Sequence, residues 1–201
     1  MSEYENYVQD FPCRILKLYE KYLESVRLDH LEVTFLLSLT ASGIAVPFDR
    51  LRPNSRYPDP FEDRHTFEEA ANKFDKLYEK CFRESELWDS AFEEWRYGIC
   101  KNVNSDPNSW EEFNSAKRID VSSTVEHVIN HIRTSLAHGI ICTVGKDEIE
   151  KILLLKGKKK EGRFLLVTPQ SLGVFLRKWI DWLQTLDVSI WRKCNSPLIS
   201  E

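Results

Sequence analysis

Residues 123–139 read S-T-V-E-H-V-I-N-H-I-R-T-S-L-A-H-G, and the pattern of this segment predicts one amphipathic helix. Ser123 and Glu126 have the spacing of a capping box at a helix start. Gly139 tolerates the left-handed backbone that often ends a helix. Between these ends, apolar residues recur every three or four positions and form one stripe facing a core: Val125, Val128, Ile129, Ile132 and Leu136.

The opposite face of this predicted helix is polar and titratable. At about 100° per residue it carries His127, His131, Thr134 and His138, with Arg133 toward one flank. The step from Arg133 to His138 corresponds to about 7.5 Å of rise and about 140° of rotation, so their side chains do not meet on one straight helix. Two copies of the helix packed across a twofold axis would bring two arginines and two histidines into one cleft.

The run R-T-S-L-A-H-G resembles the signature of HEPN nucleases, which is an arginine, a polar residue, three variable positions and a histidine. An apolar segment in the first quarter, L-E-V-T-F-L-L-S-L-T-A-S-G-I-A-V-P, and a strand pair followed by a helix after the histidine are also similar to bacterial HEPN proteins. The resemblance extends over residues 8–186. Thr134 departs from the pattern, because the family usually has Asn, Asp or His at that position.

This resemblance implies metal-independent cleavage of RNA, in which the ribose 2′-hydroxyl attacks the adjacent phosphorus and leaves a 2′,3′-cyclic phosphate. It makes Arg133 and His138 the expected catalytic residues, with Asn130, His131 and Thr134 in support. Histidine exchanges protons near neutral pH, and arginine keeps a charged fork of donors for phosphate oxygens. The implied protein is a homodimeric toxin or antiviral defence effector that needs no cofactor and is controlled by an antitoxin or inhibitor protein.

The same residues allow an alternative hypothesis. A histidine beside a terminal glycine is often only a helix cap, and an arginine on a helix face is often salt bridged or solvated. Thr134 can form hydrogen bonds but carries no charge. These features favour a catalytically inactive HEPN-like module that binds RNA or another protein. His127 and His131 have the spacing of two metal ligands, but no third ligand accompanies them, and we predict no metal site.

Composition limits the kind of RNA contact. The chain has 201 residues, a net charge of −4 and a sequence pI near 5.8, so it lacks the overall basic excess of a nonspecific nucleic-acid binder. Any RNA contact must therefore be local. The densest positive cluster is the predicted hairpin tip, with Lys158, Lys159 and Lys160 as candidate RNA-binding residues. The competing interpretation is a solvated turn that keeps a sheet edge from aggregating.

The rest of the chain predicts a mainly α fold in a single domain over residues 1–201, a HEPN-like helical bundle with a small β-hairpin before the last helix. Helices are predicted over 8–27, over 31–46 with Pro47 as the stop, from Thr66 to Cys81, and over a segment from Leu87 to Tyr97. A loop insertion is expected at 47–65, the hairpin at about 148–168, a final helix from Thr168, and a frayed tail at 188–201.

Targeting signals are not apparent in the sequence. Five cysteines are scattered without the close pairs of zinc or redox motifs, so we expect reduced thiols. The first residues are acidic, and no apolar run approaches the roughly 18 residues that span a bilayer. A cytoplasmic protein without membrane contact is the expectation.

Overall fold

The computed structural model describes residues 7–51, 64–100, 115–119, 122–146, 148–158 and 161–186. The helices in this part of the chain are α1 (Asp10–Leu28), α2 (Glu32–Leu51), α3 (Arg64–Glu79), α4 (Val125–Ala137) and α5 (Pro169–Gln184). Its strands are β1 (Arg96–Cys100), β2 (Lys117–Arg118), β3 (Ile141–Val144), β4 (Lys151–Lys158) and β5 (Glu161–Val167). The strands form one antiparallel sheet in the order β2-β1-β5-β4-β3.

The structure confirms a mainly α fold but corrects the size of the sheet. The predicted hairpin is the β4–β5 pair, in which Lys156 lies opposite Arg163. However, β1 pairs with the free side of β5, and β3 pairs with β4. The hairpin is therefore the centre of a five-stranded sheet. Apolar residues on both faces of β4 and β5 explain this position, because a central strand is covered on both sides.

The helix predicted over Leu87–Tyr97 is wrong. This segment forms a short 3-10 turn at Ser90–Phe92, where Asp89 Oδ1 accepts a hydrogen bond from Ala91 N at 3.0 Å, and then enters β1. Trp88, Phe92 and Trp95 do share one side, as their spacing indicates, but they share it as an aromatic cluster around Phe82 and Phe175. The spacing of these aromatic residues therefore reflects their shared burial and does not indicate a helical backbone.

Helix α2 does not stop at Pro47 but continues to Leu51, so the predicted loop at 47–65 is too long at its start. Proline inside a helix leaves the carbonyl four residues earlier without its usual N–H donor. That carbonyl belongs to Gly43, and the indole Nε1 of Trp179 on α5 donates to it at 3.0 Å. The hydrogen bond from α5 therefore replaces the one that Pro47 removes. Residues 52–63 lie outside the described part, and α3 begins at Arg64.

The sheet presents one face to the helices. Ile152, Leu154, Leu165 and Val167 on this face are buried with the apolar sides of α4 and α5. The other face carries a second buried cluster that includes Leu153, Leu155, Phe164 and Leu166. Among the described helices, none is both long and apolar enough to cross a membrane. The final helix begins as predicted, with Thr168 and Ser171 forming its capping box, and the predicted frayed tail lies outside the described residues.

Candidate active site

Both ends of α4 are fixed by local hydrogen bonds. Thr124 is the N-cap, since its Oγ1 accepts from His127 N at 3.2 Å, so the helix is capped one residue later than the capping box predicted at Ser123 and Glu126, and by this single side-chain bond. The backbone just before α4 also bonds the end of α3, through Val125 N to Lys80 O at 3.0 Å. At the other end, His138 is the C-cap and Gly139 adopts φ +63°, as the sequence predicts. The motif helix is thus held in a defined register.

The apolar stripe of α4 faces the core, as predicted. Val125, Val128, Ile129 and Ile132 are buried where α4 packs on α2, α3 and β4. The outward face carries residues that are exposed or half-buried: Glu126, His127, Asn130, Thr134, Ala137 and His138. Within this face, the candidates Asn130, Thr134 and His138 follow one another at one-turn intervals, so they form a single line along the helix.

His131 does not lie on the outward face, and its predicted place there is wrong. Its side chain is 1% exposed, and Nε2 lies 2.7 Å from Leu154 O on β4. Because a carbonyl only accepts, Nε2 carries the hydrogen and Nδ1 is an acceptor, for which the described residues offer no partner. Burial lowers the pKa of His131 to about 4, opposed by the Leu154 bond and assisted by the charges of Lys156 and Arg163. The ring is therefore neutral near pH 7.

Ser135 lies one turn after His131 and fastens α4 to the same strand. Its Oγ is 2.7 Å from Leu155 O and 2.8 Å from His131 O, and its side chain is buried. His131 and Ser135 thus bind the neighbouring carbonyls of Leu154 and Leu155. Strand β4 therefore fixes the rotation of α4 about its axis, and with it the direction in which the outward face points.

Arg133 is held by α2 at the edge of the outward face. Its Nη2 donates to Asp49 Oδ1 at 2.7 Å, and its guanidinium carbon lies 4.9 Å from the ring centroid of Phe48. The Arg133 side chain is 27% exposed, while its Nε is buried with no partner among the described residues. The guanidinium is thus positioned by an ion pair and an aromatic face while part of it remains open to solvent. No local pattern predicts Asp49 or Phe48 as neighbours, because they lie 84 and 85 positions before Arg133 in the chain.

His138 lies at the end of α4 and is exposed. Its backbone N–H donates to Thr134 O at 3.1 Å, so the helix cap uses the main chain of His138 rather than its imidazole. Arg133 turns toward α2, whereas His138 continues the line of Asn130 and Thr134. The structure therefore places the two motif residues on different edges of one exposed face, as the helical rotation predicts.

The remaining candidates fall mostly outside what the structure describes. Lys158 is the last residue of β4, and Lys159 and Lys160 lie beyond the described residues, so their role in RNA binding stays a prediction. Groups of three or more His, Cys, Asp or Glu arranged to hold a metal ion are absent from the described ranges. Of the five cysteines, Cys13, Cys81 and Cys142 are free thiols in the part of the chain that the structure describes.

Comparison with known proteins identifies the class. A family model described as HEPN pEK499 p136 matches residues 1–189. The chain belongs to this HEPN family, and the match covers both the helical core and the sheet. HEPN domains are commonly ribonucleases, so membership indicates a nuclease or an RNA-related function. Searches of the curated proteins and of the solved structures found no match.

Proposed function

We propose that this protein is a metal-independent endoribonuclease that cuts RNA at a site shared by two copies of the chain. The observation that carries the proposal is the R-x4-H motif, Arg133 to His138, on the outward face of α4 in a HEPN chain. One residue is a positioned cation and the other is an exposed imidazole. Phosphoryl transfer without a metal uses two such groups: a fixed cation that stabilises the phosphate charge and an imidazole that transfers protons.

The reaction balances as an internal transfer. The ribose 2′-oxygen forms a bond to phosphorus while the bond from phosphorus to the 5′-oxygen breaks, giving a 2′,3′-cyclic phosphate and a 5′-hydroxyl. His138 takes the proton from the 2′-hydroxyl as the new bond to phosphorus forms, and then gives this proton to the 5′-oxygen as that oxygen leaves. Arg133 donates hydrogen bonds to the phosphate oxygens as negative charge builds on them.

Helix geometry supports a composite site. Within one copy, Arg133 is tied to α2 and His138 lies about 140° further around α4, so the pair does not converge on one phosphate. A second copy, packed by the same face about a twofold axis, would set its His138 against the first copy's Arg133. Thr134 and Ala137 are small residues on that face and permit the close approach of two helices. Thr134 and Asn130 would then lie beside the substrate in supporting positions.

A toxin or antiviral effector is the physiological role that fits such an enzyme, because uncontrolled RNA cleavage stops growth. Its control would fall to an antitoxin or inhibitor protein that covers the outward face of α4. Expression of the wild type in bacterial cells is expected to arrest growth, whereas the His138→Ala chain is not. Coexpression of a protein encoded beside this gene should relieve the arrest if that protein is the antitoxin.

The second candidate is a HEPN-like module that no longer cleaves RNA but still binds RNA or a protein. Two observations favour it. Thr134 occupies the position after the arginine where the family usually has Asn, Asp or His, and Asp49 neutralises the charge of Arg133. If Asp49 keeps the guanidinium from phosphate, the motif would serve recognition alone.

A cleavage assay separates these candidates. End-labelled single-stranded RNA is incubated with purified protein in excess chelator, and the products are tested for 2′,3′-cyclic phosphate ends. The first candidate predicts such ends from the wild type and a loss of at least about a hundredfold in rate for Arg133→Ala and for His138→Ala.

Two matched variants control for nonspecific effects in this assay. Arg27→Ala removes a surface arginine that also forms an ion pair, with Glu24, and His30→Asn removes an exposed histidine at a left-handed position that asparagine tolerates. Both are expected to cleave like the wild type. A wild type that binds RNA without producing any cyclic ends would support the second candidate, and activity abolished by chelator would contradict the first.

A further inference from the structure

Two adjoining cavities lie between the first half of α4 and the helix-facing side of the sheet. Their volumes are about 340 Å³ and about 620 Å³, and both are lined by Tyr97, His127, His131 and Arg163. Because they share these walls, they form one continuous groove, which we call the α4–sheet groove. Its far ends reach β2 on one side and the β4–β5 hairpin on the other.

The described lining of this groove is basic. Lys117 and Arg118 lie at the β2 end, and Lys156 and Arg163 lie at the hairpin end, and all four side chains are exposed. Glu126 supplies the carboxylate that the described lining contains. Four cations against one carboxylate make this a local positive surface in a chain whose net charge is −4. Phosphate groups are the chemistry that such a surface attracts.

The sheet register explains why the cations share one face. Arg163 on β5 is paired with Lys156 on β4 and with Ile99 on β1, so these three side chains stand in a row across three strands. Ile99 is 57% exposed, and Tyr97 is half-buried two residues earlier on the same side of β1. The groove thus combines cations for a backbone with an aromatic and an aliphatic side chain that bases can contact.

His131 lines the groove and carries an unused hydrogen-bond acceptor. The Nδ1 of His131 has no partner among the described residues, and its ring packs edge-on against Tyr97 with centroids 5.3 Å apart. A hydroxyl of a bound ribose is a donor that would match it. This is a second observation, independent of the charge, that suits a ribonucleotide chain.

The groove also leads toward the motif. Asn130 lines it, and Thr134 and His138 continue the same line of α4 by one and two further turns. We infer that the α4–sheet groove is a binding site for single-stranded RNA. The RNA backbone lies against Lys117, Arg118, Lys156 and Arg163, and it extends along α4 to the motif. This inference rests on the proposed function, which supplies RNA as the substrate, and it assigns the surface that binds this RNA.

Binding is measured separately from cleavage, with the His138→Ala chain as the parent so that the RNA stays intact. A fluorescent 12-nucleotide single-stranded RNA is titrated at several salt concentrations. Lys156→Ala/Arg163→Ala is expected to weaken binding at least about tenfold and to lower the slope of log affinity against log salt by about 1.4, as the loss of two phosphate contacts implies. Glu126→Gln is expected to bind more tightly, because it removes the opposing carboxylate.

The matched control is Lys17→Ala/Lys73→Ala, which makes the same change of charge at exposed positions on α1 and α3, outside the groove. It should bind like the parent. Equal binding by the groove variant and this control would overturn the inference. Unchanged affinity when the RNA is annealed into a duplex would also overturn it, because paired bases cannot contact Tyr97 and Ile99. Thermal melting of each variant verifies that it is folded.

The outcomes distinguish the two proposals. If the wild type cleaves RNA and the groove variant still binds like the control, the groove inference fails and the nuclease stands. If groove-dependent binding is found but the wild type leaves RNA intact, the nuclease fails and the groove stands. Equally tight, charge-dependent binding of single-stranded DNA of the same sequence would contradict the role assigned to the ribose hydroxyl.

Discussion

The position of the Arg133 guanidinium depends on a single ion pair. The sequence predicts a cation at this position but not its partner, because Asp49 reaches it from the end of another helix. An arginine that is fixed before the substrate arrives loses less conformational entropy when it binds phosphate. Asp49 is therefore a positioning residue in the proposed reaction, and Phe48 supports the same orientation from the face of its ring.

Asp49→Asn tests that role. The pair is partly exposed, with side-chain exposures of 27% and 56%, so its loss should change the free energy of unfolding by less than about 1 kcal/mol. We expect kcat for RNA cleavage to fall about tenfold with a smaller change in KM, because the guanidinium loses its orientation. Glu24→Gln, which breaks the Arg27 pair on α1, is the control and should leave both constants unchanged. A kcat that is unchanged or raised would contradict a positioning role.

His131 shows why a residue pattern alone does not locate a site. It lies about 40° from His127 and 20° from His138 on a helical projection, close enough to count with the polar face. Instead, its Nε2 donates a hydrogen bond to Leu154 O on β4, and the position of that strand cannot be predicted from the sequence around His131. The apolar stripe and Gly139 are predictable because their physical causes, burial and backbone freedom, act within the helix itself.

The buried imidazole of His131 makes stability depend on pH. Its pKa is about 4 in the folded protein and near 6.5 when unfolded, so the unfolded chain binds the proton more readily. Stability from the neutral ring is complete above pH 6.5 and is lost as pH falls toward 4. Between pH 7.5 and pH 5, the wild type should lose about 2 kcal/mol more unfolding free energy than His131→Gln, whose amide can still donate to Leu154 O.

Denaturant unfolding at the two pH values measures this difference. His30→Asn, which removes an exposed histidine, serves as the control and should follow the wild type. If wild type and His131→Gln lose the same stability between these pH values, the neutral buried ring is not the cause.

At the scale of elements, α2 and α5 depend on each other through one carbonyl. The sequence suggests that Pro47 ends α2, and local rules give no reason to continue the helix. The reason lies in Trp179, whose indole donates to the Gly43 carbonyl that proline leaves unpaired. Gly43 also permits α1 and α5 to approach, since a Cβ there would lie 3.1 Å from Leu176 Cδ1 and 3.4 Å from Ile15 Cγ2.

A double-mutant cycle measures this dependence. Trp179→Phe leaves the buried Gly43 carbonyl without a donor, which should cost about 1–3 kcal/mol beyond the lost packing. Pro47→Ala restores a backbone N–H to that carbonyl, so Trp179→Phe should cost at least about 1 kcal/mol less in the Pro47→Ala background. Trp182→Phe alters the indole stacked on Trp179 and should cost the same in both backgrounds. Equal costs for Trp179→Phe would show that the indole bond does not stabilise α2.

Only part of the sheet can be predicted from the sequence. Alternation and the turn residues of G-K-K-K-E-G predict the β4–β5 hairpin, because both signals are local. Local sequence does not predict strand β1, because the aromatic residues before it repeat at helical spacing. It does not predict the α4–sheet groove either, since Ile99, Tyr97 and Arg163 become neighbours only through the pairing of β1 with β5.

The outward face of α4 and the α4–sheet groove meet at Asn130 and form one continuous surface of the molecule. In the proposed enzyme, the groove carries the RNA chain and the motif acts where that chain reaches the second copy. Family membership and the helical core follow from a short motif and its apolar stripe. The proposed assembly pairs two copies of one surface, and the residues of that surface come together only on folding, so they form no local sequence pattern.

The activity of a defined mixed dimer decides whether two copies of the chain share one active site. Two differently tagged chains, one with Arg133→Ala and one with His138→Ala, are coexpressed, and the mixed dimer is isolated by two affinity steps. If Arg133 of one copy works with His138 of the other, this dimer keeps one intact site and should cleave RNA in excess chelator at about half the wild-type rate, although each variant alone is inactive. A mixed dimer as inactive as either variant, beside an active wild type, would contradict a shared active site.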